Sequence, residues 1–311
     1  MKVDVYVCTK PFQWLNVENI EKRNTLNVLI IIDNFPNVKD IALRIQQFFP
    51  HWKEIIIVKN RLRAFLAIWK FDVANLYIDS DYGRKSYLYC FIKANQFVYD
   101  EGIGTYSVNT EELFGIKNKI KYYLFKLIGA GTFQGGNWKT EGIIVYNKNF
   151  YISRFGRNLK GKVVLPFKQS FENFVNDNLD RLAKVFEFNV YSDLSDKRVA
   201  LYLTYHNVNQ EIIRYLEAHA THFDLVIIKP HPHLLKFGDI SIIKNNDYHI
   251  FNNPIMAEVL MMKLAEGNDL TVLHESSTAC LNLKKSNRMK IIDFKNPLYS
   301  KDFDQYIEKL T

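Results

Sequence analysis

The chain has 311 residues, of which 48% are hydrophobic and 14% aromatic, and its formal net charge is +8. This apolar content excludes a disordered chain, and the length exceeds what one hydrophobic core usually covers, so we expect two domains. The positive charge suits a partner rich in phosphate or carboxylate. Because Lys and Arg are dispersed and no nucleic-acid-binding motif is present, an anionic membrane surface or glycan is expected rather than nucleic acid.

The three cysteines, Cys8, Cys90 and Cys280, lie far apart in the sequence and lack metal-ligand spacing. Free thiols in a reducing compartment are therefore expected, and the cytoplasm is the simplest localisation. The first residues alternate like a strand, and no apolar run approaches about 18 residues. Neither a signal peptide nor a membrane-spanning helix is predicted.

Strands and helices alternate through the first half of the sequence. Short apolar runs predict buried strands, and apolar residues at helical spacing predict the helices between them. Such alternation implies a parallel sheet with right-handed crossovers. The predicted strands are residues 3–7, 27–33, 53–58, 75–79 and 96–99, and the first two helices are residues 11–20 and 38–49.

Two adjacent acids and a glycine, Asp100, Glu101 and Gly102, follow the fifth predicted strand. One interpretation is an N-cap for the next helix. The other is a general base, presented by a tight turn that the glycine allows.

Residues 111–129 carry apolar side chains on one helical face and lysines elsewhere. A helix packed on the core is the favoured interpretation, and a helix lying at a membrane surface is the alternative. The glycines of residues 129–136 lack the spacing of a dinucleotide or phosphate loop, so a flexible loop on the acceptor side is predicted. The basic, irregular stretch 146–166 is predicted to be a linker, which divides the chain into domains 1–155 and 156–311.

The second half of the sequence shows the same alternation of predicted strands and helices. A helix is predicted at residues 167–186, and a second sheet follows. Its predicted strands are residues 199–203, 223–228, 248–251, 270–273 and 289–294, and its helices are residues 210–218, 255–264 and 302–310.

The sequence LVIIKPHPHLL, residues 225–235, predicts a buried parallel strand that ends in a basic turn. The two prolines lack backbone donors, so the strand must stop there. Ligands of open α/β sheets gather at the carboxyl ends of the strands. The candidate binding residues at these ends are Thr204 after the preceding strand and Lys229, His231, Pro232 and His233 after this one.

Ser276, Ser277 and Thr278 follow another predicted strand and begin a predicted helix. Their hydroxyls and N–H groups, together with the helix dipole, suit a single phosphate. An ordinary N-cap is the alternative. Asp79 and Asp81 form the nearest approach to a metal motif, but they lack supporting ligands and are interpreted as turn residues. No metal or other cofactor is expected.

The acid-acid-Gly of residues 100–102, the His-Pro of residues 231–232 and the Ser-Ser of residues 276–277, in this order, resemble the bacterial sialyltransferases that build lipooligosaccharide caps and polysialic acid capsules. The N-terminal VYVCTKPFQWLNVENI also looks like that family's opening strand and Pro-Phe-Gln turn. The resemblance implies an α/β, GT-B-like fold, with two Rossmann-type domains whose parallel sheets face across a cleft. The first domain would hold the acceptor and the second the CMP-sugar.

The resemblance further implies a metal-independent, inverting transfer of sialic acid from CMP-sialic acid to a hydroxyl of a surface glycan, namely lipooligosaccharide, O-antigen or capsule. Asp100 is then the preferred base and Glu101 the other possibility, while His231 contacts the departing CMP. Partners would be the CMP-sugar, the acceptor glycan and, peripherally, the inner membrane. The alternatives are a transferase for another CMP- or UDP-sugar and a non-catalytic glycan-assembly subunit. The substrate-binding residues would be Gly102, Thr204, Lys229, Pro232, His233, Ser276, Ser277 and Thr278.

Overall fold

The computed structural model divides the chain into two compact units, unit 1 (Met1–Phe171) and unit 2 (Glu172–Thr311). Each unit contains one parallel sheet, so the predicted two-domain α/β architecture is confirmed. No helix in the described part of the chain has the length and apolar character needed to cross a bilayer. The structure describes residues 2–22, 26–82, 87–107, 116–188, 195–231, 234, 248–251, 253, 255–280, 283 and 288–295.

Unit 1 is built on a seven-stranded parallel sheet in the order β3-β2-β1-β4-β5-β6-β7. The central strand β1 is buried along its whole length, because helices cover both faces of a parallel sheet. Its neighbours pair in register on both sides, with Val5 opposite Val28 and Leu76. The strands are β1 Val3–Cys8, β2 Leu26–Ile32, β3 Trp52–Val58, β4 Val73–Ile78, β5 Asn95–Tyr99, β6 Thr140–Val145 and β7 Val163–Pro166.

The helices of unit 1 connect these strands. Because such crossovers are right-handed, the strand order puts α1 and α2 on one face of the sheet and α3, η1, α5 and α6 on the other. Pro11 occupies the first turn of α1, and the Asn60 side chain caps α3 by accepting from Arg63 N. The elements are α1 Pro11–Glu18, α2 Val38–Phe48, α3 Arg61–Ile68, η1 Tyr87–Phe91, α4 Ile103–Ser107, α5 Ile116–Leu127, α6 Lys148–Phe155 and η2 Gly156–Asn158, where η denotes a 3-10 helix.

The stretch 146–166, predicted to be a linker, belongs to unit 1 and is ordered. The side chain of Asn147 begins α6 by accepting a hydrogen bond from Phe150 N at 2.9 Å. Strand β7 then pairs with β6, with Leu165 opposite Ile144. The boundary between the units therefore follows Phe171 instead of residue 155. The four-residue edge strand went unrecognised because it is short and half-exposed within a basic stretch.

The glycine-rich stretch 129–136, predicted to be a flexible loop, is anchored. Gly135 has φ +88°, and its N–H donates to the Asp81 carboxylate at 2.8 Å. Gly131 forms an isolated parallel bridge with Tyr82. The glycines thus serve close backbone approach, which a flexible loop would not need.

Unit 2 contains a five-stranded parallel sheet in the order β10-β9-β8-β11-β12. The predicted helix 167–186 is two helices, α7 and α8, and the predicted helix 302–310 lies outside the described residues. Tyr202 on β8, Ile212 on α9 and Ile228 on β9 are fully buried in one core cluster. The remaining elements are α7 Phe171–Asp177, α8 Leu179–Val185, β8 Arg198–Leu203, α9 Gln210–Ala218, η3 Ala220–His222, β9 Leu225–Lys229, β10 His249–Ile250, α10 Ala257–Ala265, β11 Asp269–His274, η4 Thr278–Cys280 and β12 Met289–Asp293.

Gly142 tests the packing of β7 against β6. A Cβ at this position would lie 2.5 Å from Val163 Cγ2 and 2.8 Å from Val163 O. We expect Gly142→Ala to lower the free energy of unfolding by about 1–3 kcal/mol, the usual cost of overpacking, as measured by urea denaturation. Gly156→Ala is the control, because its Cβ would approach only Ile152 Cγ2, at 3.3 Å. Equal stability of the two variants would contradict the packing described for β7.

Candidate active site

Five polar side chains of unit 1 converge at the carboxyl ends of β1, β4 and β5, where parallel α/β sheets bind ligands. Strand β1 ends just before Thr9, β4 just before Asp79, and β5 ends one residue before Asp100. Helices α1 and α3 add one side chain each. The cluster consists of Thr9, Gln13, Arg61, Asp79 and Glu101.

Arg61 and Asp79 form a bidentate ion pair. Arg61 is the first residue of α3, and its Nη1 and Nη2 lie 2.8 and 2.5 Å from the two carboxylate oxygens of Asp79. The Thr9 hydroxyl lies 3.2 Å from the Asp79 carboxylate and 2.8 Å from the Gln13 amide oxygen, so its single hydrogen can serve either acceptor. Asp79 is only 1% exposed, so a charge there must be compensated, and this geometry provides the compensation.

The amide of Gln13 connects Asp79 to Glu101. Its oxygen accepts from Thr9 N at 2.6 Å and from the Thr9 hydroxyl at 2.8 Å, which fixes the orientation of the amide. Its nitrogen donates to Asp79 Oδ2 at 3.3 Å and to Glu101 Oε1. The Gln13 side chain that binds Glu101 is therefore itself fixed, by Thr9 at its amide oxygen and by Asp79 at its amide nitrogen.

Glu101 keeps partial access to solvent. Its side chain is 23% exposed, and Lys10 Nζ lies 3.9 Å from its Oε1. Burial raises the pKa of Glu101 to about 7, and the nearby negative charge of Asp79 contributes in the same direction. A carboxyl group with this pKa can accept or release a proton near neutral pH.

Asp100 has a different environment although it precedes Glu101. It is 1% exposed, and its carboxylate accepts from Gly102 N at 2.6 Å, from Tyr146 N at 3.4 Å and from the Tyr106 hydroxyl. Burial raises the pKa of Asp100 to about 6, against the lowering effect of these hydrogen bonds. Gly102 has φ +97°, as a tight turn after the acids requires. The Asp100 carboxylate therefore closes this turn from inside.

The Asp81 carboxylate accepts hydrogen bonds from the glycine-rich loop and from the residues that follow it. Its carboxylate accepts from Gly135 N at 2.8 Å, Asn137 N at 3.1 Å and the Thr140 hydroxyl at 2.7 Å. Asp79 and Asp81 thus have separate partners, Asp79 in the cluster with Arg61 and Asp81 at the glycine-rich loop. Across the residues that the structure describes, no group of three or more His, Cys, Asp or Glu side chains is placed to hold a metal ion.

In unit 2, Thr204 and His231 meet at the carboxyl ends of β8 and β9. The Thr204 hydroxyl accepts from His231 N at 2.8 Å, and Thr204 N donates to Lys229 O at 3.2 Å. The His231 ring lies 4.9 Å from the ring of His206, centroid to centroid. The structure therefore brings three of the predicted binding residues to one sheet edge. Pro232 and His233 lie outside the described residues.

The Lys229 side chain contacts the neighbouring edge of the sheet. Its Nζ donates to Asn253 O at 3.0 Å and lies 5.5 Å from the centroid of the Phe251 ring. Burial lowers the pKa of Lys229 to about 8. The predicted binding role of its ammonium group thus competes with a structural role.

Of the helix predicted after the serines, the structure describes only the first residues. The described residues after them form only the three-residue η4, beginning at Thr278. Ser276 N donates to Asp293 Oδ1 at 2.8 Å, and Ser277 N donates to His274 Nδ1 at 3.0 Å. These two N–H groups are already used inside unit 2, so they are not available to the predicted helix-terminus cradle. The hydroxyls of Ser277 and Thr278 are the groups that a ligand can use.

Several residues of these clusters were not predicted from the sequence. In the sequence, Gln13 is marked only by the Pro-Phe-Gln turn. No sequence pattern marks Arg61, because its partner Asp79 follows a different element, β4. His274 ends β11 directly before the Glu-Ser-Ser sequence and is 1% exposed. Burial lowers the pKa of His274, and its Nδ1 lies 3.6 Å from Asp293 Oδ1.

The sequence matches no protein-family model and no curated protein. UDP-N-acetylglucosamine 2-epimerase from Rickettsia bellii superposes with a TM-score of 0.53 at 13% identity, covering 99% of this chain and 88% of that chain. UDP-GlcNAc 2-epimerase from Methanocaldococcus jannaschii, solved with UDP-GlcNAc and UDP, gives 0.58 at 12% identity, covering 100% and 92%. UGT73P12 of Glycyrrhiza uralensis, solved with glycyrrhetinic acid 3-O-monoglucuronide, gives 0.60 at 10% identity, covering 99% and 79%.

These similarities establish the fold class of the chain. Its two parallel-sheet α/β domains have the GT-B fold, which the family resemblance implied.

Asp100 variants test whether this carboxylate holds the turn. Asp100→Ala leaves Gly102 N and the Tyr106 hydroxyl without their acceptor, so we expect the free energy of unfolding to fall by about 1–3 kcal/mol in urea denaturation at pH 7. Asp100→Asn keeps one acceptor oxygen and removes the buried charge, so its loss should be smaller. The exposed Asp72→Ala is the control. Wild-type stability of Asp100→Ala would show that the carboxylate does not support the turn.

Proposed function

We propose that the protein is a metal-independent, inverting glycosyltransferase that moves sialic acid from CMP-sialic acid to a hydroxyl of a surface glycan. The observation that carries the proposal is Glu101, a partly exposed carboxyl group at a strand end, with a pKa raised to about 7. Inverting transfer needs one group to take the proton from the acceptor hydroxyl. General bases work best when their pKa lies near the working pH, and Glu101 meets that condition.

Glu101 is a better candidate for the base than Asp100, the residue that the sequence favoured. A base must come within hydrogen-bonding distance of the hydroxyl that it deprotonates. The Asp100 carboxylate is 1% exposed and accepts hydrogen bonds from Gly102 N, the Tyr106 hydroxyl and Tyr146 N. The Glu101 side chain is 23% exposed, so the acceptor can approach it.

The neighbours of Glu101 support this role by orienting and tuning it. Gln13 donates to one carboxylate oxygen, which leaves the other oxygen for the acceptor hydroxyl. Asp79 raises the pKa of Glu101 electrostatically, and Arg61 moderates that effect through its ion pair with Asp79. We assign Gln13, Arg61 and Asp79 as positioning residues.

Unit 2 would bind the donor at the ends of β8, β9 and β11. The imidazole of His231 and the hydroxyls of Ser277 and Thr278 suit one phosphate, because they offer few donors and little fixed charge. A CMP-sugar has a single phosphate, which agrees with the resemblance to the sialyltransferases. His231 would stabilise the phosphate as CMP leaves.

A UDP-sugar enzyme is the second candidate. The fold similarity to the Methanocaldococcus jannaschii epimerase, solved with UDP-GlcNAc and UDP, favours a UDP-sugar enzyme over a non-catalytic glycan-assembly subunit. A diphosphate carries more charge than a monophosphate, so it calls for additional basic ligands. Lys229, which lies two residues before His231, already donates to Asn253 O. This engagement favours the monophosphate donor.

Glu101→Gln tests the base. The isosteric amide can still accept from Gln13, so we expect folding and CMP affinity to stay unchanged while the transfer rate falls by about 10² to 10⁴. In the wild-type protein kcat/KM should rise with pH and level off above about 7, because the active form is deprotonated. Initial rates with CMP-sialic acid over a pH series, with CMP affinity from calorimetry, give both quantities.

The exposed Glu54→Gln on β3 is the control for this experiment, and Asp100→Asn is the competing variant. A normal rate for Glu101→Gln together with a large loss for Asp100→Asn would return the base to Asp100. Activity in both variants would exclude the acid pair as the base.

Donor choice is tested by thermal unfolding with CMP and with UDP. We expect CMP to stabilise the protein more than UDP at equal concentration, approaching about 2.7 kcal/mol at 100 times its Kd. His231→Ala should weaken the CMP effect at least about tenfold in affinity, if the imidazole contacts the phosphate. His222→Ala is the matched control, because His222 is exposed in η3. Stabilisation by UDP equal to or larger than that by CMP would favour the second candidate.

A further inference from the structure

The apolar stripe of α5 faces solvent. Ile120, Tyr123, Leu124 and Leu127 follow the i, i+3, i+4, i+7 spacing of one helical face, and they are 55, 66, 54 and 83% exposed. On the other side of the helix Phe125 is 7% exposed and packs inward. The favoured sequence interpretation, a stripe packed on the core, is therefore wrong.

Apolar exposure continues beyond the end of α5. The Tyr87 hydroxyl of η1 donates to Ile128 O at 3.0 Å, which joins η1 to this end of the helix. Phe91, at the end of η1, is 66% exposed. Trp138 N donates to Gly129 O at 3.0 Å, and the Trp138 side chain is 61% exposed.

Helix α3 extends the same surface. It contacts η1 and lies on the same face of the sheet. Leu62, Leu66 and Trp69, at i, i+4 and i+7 along and just after α3, are 53, 44 and 67% exposed. Among the described residues fourteen large hydrophobic side chains are exposed, and ten of them belong to α3 with Trp69, η1, α5 with Ile128, and Trp138. We call this surface of unit 1 the docking face.

The segments that form the docking face are exclusively basic. Residues 61–69, 87–91, 116–128 and 138 together contain six Lys or Arg and no Asp or Glu, and one of the six, Arg61, is paired with Asp79. On α5 the exposed Lys117 lies on one margin of the apolar stripe, and the exposed Lys119 and Lys126 lie on the other, at about 100° per residue. The lysines therefore border the apolar side chains on both sides.

We propose that the docking face binds the surface of an anionic phospholipid bilayer. An apolar helical stripe bordered by lysines is suited to lie in the plane of such an interface, with the cations at the phosphates and the apolar side chains below them. Exposed Trp and Tyr side chains suit the headgroup region, because their rings are apolar and their tips polar.

Charge argues against a second copy of the chain as the occupant. A two-fold interface on this face would place lysines opposite the same basic surface, and like charges brought together oppose association. Anionic headgroups complement the Lys and Arg side chains of these elements other than Arg61, which pairs with Asp79. The proposal stands on exposure and charge and is independent of the reaction proposed above.

The test is flotation of the full-length protein with phosphatidylcholine vesicles that contain or lack phosphatidylglycerol. We expect binding only to the anionic vesicles, weakened by salt. Leu124→Gln/Leu127→Gln should lower the partition coefficient at least about tenfold, because two large apolar side chains no longer enter the interface. Lys117→Glu/Lys119→Glu should lower it as well.

The matched control is Lys39→Gln/Leu43→Gln on α2, on the opposite face of the sheet, where Leu43 is 71% exposed. Circular dichroism and thermal unfolding verify that each variant is folded. Equal binding to neutral vesicles, or unchanged binding of both α5 variants, would overturn the proposal. So would a wild-type dimer in ultracentrifugation that becomes a monomer in Leu124→Gln/Leu127→Gln without any vesicle binding, since the occupant is then a second copy.

Discussion

The hydrogen bonds of the Gln13 amide hold the candidate site of unit 1 together. Thr9 hydrogen-bonds the amide oxygen and thereby fixes the orientation of the amide. The amide nitrogen then donates to both Asp79 and Glu101. This bridge is possible only because β1, β4 and β5 are adjacent and parallel, which brings their carboxyl ends to one edge. Burial raises the pKa of Glu101 most, the negative charge of Asp79 adds to this, and Lys10 and Arg61 act against it.

This arrangement costs stability at neutral pH. The pKa values of Asp100 and Glu101 are raised in the folded protein, to about 6 and about 7. Between their ordinary values and these raised values the folded state binds more protons than the unfolded state. Their contribution to stability is therefore fully present in acid and declines as the pH rises through that interval. The burial that raises the pKa of these carboxyl groups therefore lowers the stability of the fold at neutral pH.

The sequence identified the strand ends because buried parallel strands are continuous apolar runs, and Asp100, Thr204 and His231 follow such runs. It did not identify the partners, because the Arg61–Asp79 pair joins residues that become neighbours only when β4 and α3 fold together. The sequence also could not show which of the two acids faces solvent. The directions of the Asp100 and Glu101 side chains depend on the turn at Gly102, which forms only in the folded chain. Periodicity showed that α5 has an apolar face but not what that face meets.

Helix α3 belongs to both proposed functions of unit 1, through different side chains. Its first residue, Arg61, turns into the cluster and binds Asp79, whereas Leu62 and Leu66 are exposed along its length. A helix that begins at the carboxyl edge of a sheet places its first turn at the ligand site and its remaining turns over the sheet. Docking and catalysis therefore share a backbone element but no side chain, so each proposal can fail without the other.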